Sequence, residues 1–314
     1  MNKTAFMFPG QGAQSVGMGK DLAAAFPEAK KLYDRADDLL HFSLSTICFE
    51  GPEERLTATD VSQPAILVTS LAALAALQST PAGAALKPDG AAGLSLGEYT
   101  ALVAAGAIDF DDAVRLTHLR GRLMQQCCDA APGGMVSLLG VDEAAAEKIC
   151  EAAKEAGIIR PANFNGPGQI VVSGTRAACD RVVAIAESMG AQRAVPLVVA
   201  GGFHCPLMQA AREKLAPELR GLRVRPLLFP VVANVTGGYY SGAADIPDLL
   251  ERQVDGPVRW HQDVARLIGD GFDRFIEIGP GRVLTGLLKR IDRPLGKSAV
   301  TIGSAGDIEA LNKP

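Results

Sequence analysis

The sequence lacks an excess of positive charge. Across its 314 residues, 31 Lys and Arg side chains are outnumbered by 35 Asp and Glu side chains, and the formal net charge is −4. Proteins that bind nucleic acid along their surface carry clustered positive charge, because the phosphate backbone dominates the affinity. We therefore expect no nucleic acid among the partners of this protein.

Paired cysteines and a long hydrophobic run are also missing. The six cysteines form no CxxC pair and no Cys/His cluster with zinc spacing, so we expect free thiols, no metal site and a cytoplasmic location. The longest apolar segment, Ala65–Leu77, is interrupted by Thr69 and Ser70 and is shorter than the roughly 20 residues that span a bilayer. The N-terminal residues before Pro9 are too few for a signal-peptide core. We therefore expect no membrane partner.

The sequence does contain the alternation of short strands and helices that is typical of an α/β protein. Strands are predicted at Thr4–Phe8, Gly90–Gly93, Leu228–Val232, Arg274–Ile278 and near Ser298–Ile302. Helices are predicted at Phe26–Leu40, Val61–Gln78, Leu96–Ala105, from Asp109 to about Cys128, Pro206–Leu219, about Ile246–Val254, Val258–Gly269 and Arg282–Lys289.

The middle of the chain has a different order of elements. We predict strand Met135–Leu139, helix Glu143–Ala156, strand Ile159–Phe164, strand Gln169–Ser173, helix Arg176–Met189 and strand Arg193–Val199. This βαββαβ order is the ferredoxin-like pattern. Because α/β sequence flanks it on both sides, we predict a small domain of residues 131–199 inserted into a larger domain of residues 1–130 and 200–314.

The segment Gly93–Gly97 fits the pattern G-x-S-x-G of a nucleophile elbow. The glycines allow a tight turn from strand to helix, which would expose the Ser95 hydroxyl at a helix N-terminus. The N–H group of Leu96 would then point to where a tetrahedral oxyanion forms. A glycine-rich turn that only caps a helix fits the same five residues equally well.

A nucleophilic serine needs a base, and His204 is the strongest of four histidines. It lies in a loop between a predicted strand and a helix that begins with a proline, where α/β proteins place catalytic groups. His41, His118 and His261 fit surface or packed positions better. Cys205 could be a rival nucleophile, but a small buried side chain is the better interpretation.

Arg120 lies among apolar neighbours in the helix that begins near Asp109. The helix could present its arginines as a solvated basic face that pairs with nearby aspartates. Alternatively, Arg120 could be buried, and a buried guanidinium needs an anion such as a substrate carboxylate held by two parallel N–H bonds.

Six motifs, in order and at family spacing, resemble the malonyl-CoA:acyl carrier protein transacylases. They are Phe8–Gln14 with Val16–Gly19, Ser95–Tyr99, Leu119–Gly121, Asn163–Gln169, Phe203-His204 with Gln253 ahead of Pro257–Trp260, and Ile276–Gly281. The resemblance covers nearly the whole chain. It implies a hydrolase-like large α/β domain with a parallel sheet and an inserted ferredoxin-like domain, in agreement with the pattern of elements.

The resemblance implies a role for each matching residue. Ser95 would be the acyl-accepting nucleophile, His204 its general base and acid, and Arg120 the group that holds the malonyl carboxylate. The backbone N–H groups of Gln11 and Leu96 would form the oxyanion hole. Gln253 would orient His204 through its backbone carbonyl.

Two positions near the nucleophile bear on specificity. The family usually has His immediately before the nucleophile, whereas this chain has Leu94, which we expect to alter affinity and leave the reaction intact. Phe203 precedes the histidine, as in malonyl-selective relatives, and would leave little room for a branching methyl group. Because one methyl group is worth only about 1–3 kcal/mol, we expect partial discrimination against methylmalonyl.

The implied substrates are malonyl-CoA and an acyl carrier protein, with no metal or redox cofactor, and we expect a monomer. Carrier proteins are acidic, so docking would use basic residues near the channel mouth, although a solvated helix end is an equally good interpretation of each. The candidates are Lys289, Arg290, Arg293 and Lys297. The pathway could be fatty acid or polyketide synthesis.

Two other functions remain open from the sequence. A serine esterase or thioesterase also uses G-x-S-x-G, but its histidine usually lies near the C-terminus after an intervening Asp or Glu. A degenerate module that binds carrier protein without turnover is the second alternative, and Leu94 is the only residue that suggests it.

Overall fold

The computed structural model describes residues 3–313, and its strands and helices alternate along the chain. The elements up to residue 130 are β1 (Lys3–Phe8), α1 (Lys20–Ala25), α2 (Pro27–Leu40), α3 (Leu44–Glu50), α4 (Glu53–Thr57), α5 (Thr59–Gln78), α6 (Pro81–Ala85), β2 (Gly90–Gly93), α7 (Leu96–Ala104) and α8 (Phe110–Ala130). The next are β3 (Gly133–Leu139), α9 (Glu143–Ala153), β4 (Ile159–Gly166), β5 (Gln169–Thr175), α10 (Arg176–Ile185) and β6 (Arg193–Pro196). The last are α11 (Gln209–Arg220), β7 (Val232–Ala233), β8 (Gly238–Tyr239), α12 (Ile246–Asp255), α13 (Trp260–Gly269), β9 (Phe272–Ile278), α14 (Val283–Ile291), α15 (Arg293–Ser298), β10 (Val300–Ile302) and α16 (Ala305–Asn312).

A four-stranded parallel sheet of order β10-β9-β1-β2 forms the centre of the large α/β unit. All residues of β1 after Lys3 are buried. Such continuous burial is expected of a parallel strand that helices cover on both faces. Phe8 lies opposite Gly93, so the carboxyl ends of β1 and β2 meet at one edge of the sheet. The loops that follow these two strands are therefore neighbours.

Helix α5 lies in the core beside α8. It begins earlier than predicted, at Thr59, and is long and apolar enough to cross a membrane by length and composition, yet 89% of its apolar window is buried inside the protein. A Cβ atom on Gly121 of α8 would lie 2.2 Å from the carbonyl oxygen of Thr59. Only glycine permits this close approach of the α5 and α8 backbones, which places the neighbouring Arg120 close to α5.

A second sheet, of order β4-β5-β3-β6, is antiparallel. Helices α9 and α10 pack on it, and their apolar faces form a separate core with the strands. Its elements lie between Gly133 and Pro196, in the predicted βαββαβ order. The predicted fold class is confirmed, and the division of the chain into two domains stays a prediction.

The strand predicted at Leu228–Val232 is wrong. Only an isolated bridge between Val231 and Ala91 continues the parallel sheet there, and β7 begins at Val232 and pairs with β8 in a short hairpin. Pro226 and Pro230 have no N–H group to donate, so this segment cannot form a regular ladder. The prediction also missed several short helices, namely α1, α3, α4, α6, α15 and α16.

Candidate active site

Ser95 lies between β2 and α7 in a backbone conformation that L residues rarely adopt, with φ 52° and ψ −101°. The turn has no room for side chains on either flank. A Cβ atom on Gly93 would lie 1.9 Å from the carbonyl carbon of Gly97, and one on Gly97 would lie 2.0 Å from the carbonyl oxygen of Phe8. The glycines therefore make the sharp turn possible, and the turn presents the serine hydroxyl to a cavity.

The His204 imidazole contacts the hydroxyl of Ser95. Its Nε2 atom lies 2.8 Å from Ser95 Oγ, and its Nδ1 atom lies 2.9 Å from the backbone carbonyl oxygen of Gln253. Because a carbonyl oxygen can only accept, Nδ1 carries the proton and donates it there. Nε2 is then free to accept the proton of the serine hydroxyl, as a general base must.

The surroundings keep His204 uncharged. Burial, and then the positive charge of Arg120, lower the pKa of His204 to about 4. The imidazole is therefore neutral near pH 7 and available as a base. In the described part of the chain a backbone carbonyl, and no carboxylate, accepts from its Nδ1 atom, in contrast to the Ser–His–Asp triad.

Arg120 is buried, and among residues 3–313 it donates hydrogen bonds only to neutral groups. Its Nη2 atom donates to Ser95 Oγ at 3.1 Å and to the Gln253 side-chain oxygen at 2.9 Å, and its Nη1 atom donates to the Gln63 side-chain oxygen at 2.7 Å. Arg115 and Arg122 occupy the exposed face of the same helix. The guanidinium thus lies beside the nucleophile without a directly bonded anion, a costly state that a carboxylate from a ligand would relieve.

Two amide side chains hold the backbone of the nucleophile. Asn234 Oδ1 accepts the N–H of Ser95 at 2.7 Å, and Gln253 Nε2 donates to the Ser95 carbonyl at 2.8 Å. Asn234 also donates to the carbonyl of Gly93 at 2.8 Å. Asn234 and Gln63 were not expected from the sequence, since an amide residue after a short apolar segment, or inside an apolar helix, carries no distinctive pattern.

A cavity of about 620 Å³ opens beside the Ser95 hydroxyl. It lies between the antiparallel sheet and the loops that follow β1 and β2, because residues of both line it. Of the predicted site residues, those in its wall are Gln11, Ser95, Leu96, Arg120, Phe203 and His204, together with Leu94; Gln253 lies behind them. The backbone N–H groups of Gln11 and Leu96 have no acceptor among residues 3–313.

Three amide side chains of the antiparallel sheet also line this cavity. Asn163 and Asn165 lie on β4, and Gln169 begins β5. Within the described part of the chain, their side-chain oxygens are buried and accept no hydrogen bond. Buried acceptors without donors are rare and costly, so the wall is suited to a ligand that carries N–H groups.

The basic docking candidates lie on the helix that reaches the cavity. Val283 and Leu287 of α14 line the cavity, and Lys289 and Arg290 follow at the exposed end of the helix. Arg293 and Lys297 are exposed on α15. None of the four forms an ion pair with another residue between positions 3 and 313.

The remaining histidines and the cysteines have structural surroundings. His118 Nδ1 bonds the carbonyl of Asp60, and His41 ends α2 in a left-handed conformation. His261 is half-buried on α13. All six cysteines are buried and unpaired, and burial raises the pKa of the Cys205 thiol, which opposes a nucleophilic role.

A serine at a strand-to-helix turn, hydrogen-bonded to a histidine and open to a deep cavity, is the arrangement that an enzyme acting through an acyl-serine requires. The family profile described as acyl transferase domain matches residues 5–305, and the chain belongs to this family of acyltransferases. It is 44% identical to the malonyl CoA-acyl carrier protein transacylase of Bacillus subtilis over 302 residues, which cover 96% of this chain and 94% of the relative. It is 42% identical to the transacylase of the same name from Escherichia coli K12, over 97% of this chain and 98% of the relative.

Solved structures agree with these sequence relatives. An acyl carrier protein S-malonyltransferase from Vibrio cholerae superposes with a TM-score of 0.93 at 39% identity, covering 99% of this chain and all of the other. A malonyl-transacylase in complex with a type II PKS acyl-carrier protein superposes with a TM-score of 0.92 at 39% identity, covering 99% of each chain.

Proposed function

We propose that this protein transfers the malonyl group from malonyl-CoA to the phosphopantetheine thiol of an acyl carrier protein, through a malonyl ester of Ser95. The observation that carries the proposal is the position of one buried cation. The Arg120 guanidinium lies 3.1 Å from the nucleophilic oxygen, on the wall of the cavity that His204 also lines. The names of the relatives and of the solved structures support the same activity.

In the first half-reaction, His204 Nε2 accepts the proton of the Ser95 hydroxyl as the oxygen attacks the thioester carbonyl. The new C–O bond places negative charge on the carbonyl oxygen, and the N–H groups of Gln11 and Leu96 would stabilise that charge. The C–S bond then breaks, and the imidazolium returns its proton to the departing CoA thiolate. The product is an ester on Ser95.

Arg120 would bind the free carboxylate of the malonyl group. Acetyl and other uncharged acyl groups cannot relieve the cost of this buried cation, so malonyl is favoured before any chemical step. Phe203, buried at the cavity wall, would restrict the space beside the acyl chain, and the neighbouring apolar Leu94 lies in the same wall.

In the second half-reaction, a pantetheine thiol takes the place of CoA and the steps run in reverse. Both donors and acceptors carry the same amide-containing arm. The unpartnered oxygens of Asn163, Asn165 and Gln169 would accept its N–H groups along the cavity wall. The reaction exchanges a thioester for an ester and back without any change of oxidation state, so its chemistry requires no redox cofactor.

Intact-protein mass spectrometry tests the proposal. Incubation with malonyl-CoA should add one malonyl group to the wild-type protein, and subsequent holo acyl carrier protein should remove it and become malonylated itself. Ser95→Ala should show neither product. Release of free malonate in place of carrier-protein labelling would instead identify a thioesterase, and no label on folded wild-type protein would identify a module that does not turn over. We propose a cytoplasmic location for this activity.

A further inference from the structure

A buried carboxyl group lies directly behind the reactive residues. Glu98 is on α7, one turn after Ser95, and is fully buried. The side-chain N–H of Gln253 donates to Glu98 Oε2 at 2.6 Å, and the backbone N–H of Asn234 donates to the same oxygen at 3.3 Å. The Tyr240 hydroxyl donates to Oε1. Three donors around one carboxyl group favour its ionised form.

The amide of Gln253 connects this carboxylate to the cation of the site. Its oxygen accepts from Arg120 at 2.9 Å while its nitrogen donates to Glu98. The backbone carbonyl of the same residue holds His204 at 2.9 Å. Gln253 thus contacts the cation, the base and the carboxylate. A change in charge at Glu98 therefore alters the electrostatic surroundings of both Arg120 and His204.

Asp263 is the other buried carboxyl group here, and it is poorly suited to be the balancing anion. Only the side chain of Asn234 donates to it, and its Oδ1 atom has no partner within residues 3–313. Burial, and then the charge of Glu98, raises the pKa of Asp263 well above its usual range. Glu98 is therefore the anion of the pair.

We propose that Glu98 is a positioning residue whose carboxylate, acting through the Gln253 amide, balances the buried charge of Arg120 and holds the guanidinium beside Ser95 until an acyl carboxylate arrives. The inference rests on the proposed function for the identity of that carboxylate. It also assigns to Glu98 a second effect, since its negative charge favours the imidazolium that forms on His204 when Ser95 attacks.

The pH dependence of acylation would report this balance. Burial raises the pKa of Glu98 to about 7, against the opposing hydrogen bonds from Tyr240 and Gln253 and the charge of Arg120. The titratable groups facing it are Arg120, Asp263, Tyr99 and Tyr240. As the pH falls through about 7, Glu98 gains a proton, the balance is lost and acylation of Ser95 slows. Protonation of His204 would stop the reaction only near pH 4.

Glu98→Gln preserves the shape of the side chain and removes its charge. We expect acylation of Ser95 by p-nitrophenyl acetate at pH 8 to fall about tenfold, with no further fall between pH 8 and 6. With CoA substrates, kcat should fall for both malonyl and acetyl donors, while KM falls for malonyl-CoA alone, because the unbalanced guanidinium attracts its carboxylate more strongly. The acid limb is the fall in the acylation rate as the pH drops through about 7. An acid limb that persists in Glu98→Gln, wild-type rates of this variant at pH 8, or an equal change in its KM values for malonyl-CoA and acetyl-CoA would overturn the proposal.

Tyr240→Phe provides a second test that keeps the carboxylate and decides the matter if the first variant does not fold. Loss of one donor raises the pKa of Glu98, so the acid limb should move upward by about one pH unit, with wild-type rates retained at pH 9. Tyr239→Phe is the matched control, because that tyrosine lies beside Arg266 and Asp270 outside the site. An acid limb at the wild-type position in Tyr240→Phe would contradict the proposal. The acid limb is measured with p-nitrophenyl acetate, which carries no malonyl group. It therefore tests the role of Glu98 independently of whether the wild-type protein transfers malonyl groups.

Discussion

At the scale of single residues, charge decides what the cavity binds. The guanidinium of Arg120 is almost fully removed from water, and its three hydrogen-bond acceptors are the oxygens of two amides and one hydroxyl. A buried charge without an adjacent counter-ion is costly, and a ligand carboxylate converts that cost into binding energy. The same guanidinium lowers the pKa of His204, so one side chain influences both selectivity and the base.

Arg120→Ala should separate these two effects. We expect kcat/KM for malonyl-CoA to fall about 100-fold, because charge-assisted hydrogen bonds of about 1.5–3 kcal/mol are lost. Acetyl-CoA, which has no carboxylate to bind, should lose less than about tenfold. Arg122→Ala is the matched control, since that arginine lies two positions later on the exposed face of α8. Equal losses for malonyl-CoA and acetyl-CoA would show that Arg120 does not recognise the carboxylate.

At the scale of secondary-structure elements, the site depends on the distance between α5 and α8. Gly121 lets the two helix backbones approach, and this approach brings Gln63 of α5 within 2.7 Å of the Arg120 guanidinium. Helix α8 therefore positions Arg120 because the next residue, Gly121, has no side chain to hold the two helices apart.

Gly121→Ala should destabilise the protein and misplace the arginine together. A Cβ atom 2.2 Å from a backbone oxygen forces the helices apart, and overpacking of this kind costs about 1–3 kcal/mol in the free energy of unfolding. Denaturant unfolding measures that loss, and the ratio of malonyl to acetyl transfer should fall with it.

Gly286→Ala is the control for that substitution. Apart from its chain neighbours and the backbone of its own helix, no atom lies within 4 Å of a Cβ placed at Gly286 in α14, so alanine there should stabilise the helix by up to about 1 kcal/mol. A stable Gly121→Ala variant with unchanged selectivity would mean that the helix spacing does not position Arg120.

Long periodic elements and the nucleophile turn could be predicted from the sequence, whereas tertiary contacts could not. The 3.6-residue pattern gives α8, and the two glycines around Ser95 carry a local steric requirement. The strand expected at Leu228–Val232 failed because Pro230 within it and Pro226 just before it cannot donate to a ladder, and short helices such as α4 are too brief to show a period.

The residues behind the site were beyond sequence reasoning for a different reason. Glu98 could be read only as part of a motif, and Asn234, 139 positions away from Ser95, bonds its backbone N–H through tertiary folding alone. An amide or carboxyl side chain has the same sequence appearance on a surface and in a buried network. The resemblance supplied Gln253 and its backbone carbonyl, but the use of its side-chain amide as a bridge became visible only with coordinates.

At the scale of the whole molecule, the cavity lies between the antiparallel sheet and the loops that follow β1 and β2, and its mouth must accept both a small donor and a protein. The net charge of −4 disfavours an acidic partner in general, so a local basic region has to overcome it. Helix α14 is suited to this task, because its first turns line the cavity and its end exposes Lys289 and Arg290. Charge at this end would guide an acidic carrier protein toward the opening.

Reversal of this charge should affect the protein substrate and spare a small one. We expect Lys289→Glu combined with Arg290→Glu to raise KM for acyl carrier protein about tenfold, because two attractive charges become repulsive, and the effect should shrink as salt is added. Transfer from malonyl-Ser95 to free N-acetylcysteamine, a thiol without phosphate or protein, should proceed at the wild-type rate. Lys214→Glu is the control, since this exposed lysine lies on α11, no residue of which lines the cavity. An unchanged KM for the carrier protein at low salt would place the docking surface elsewhere.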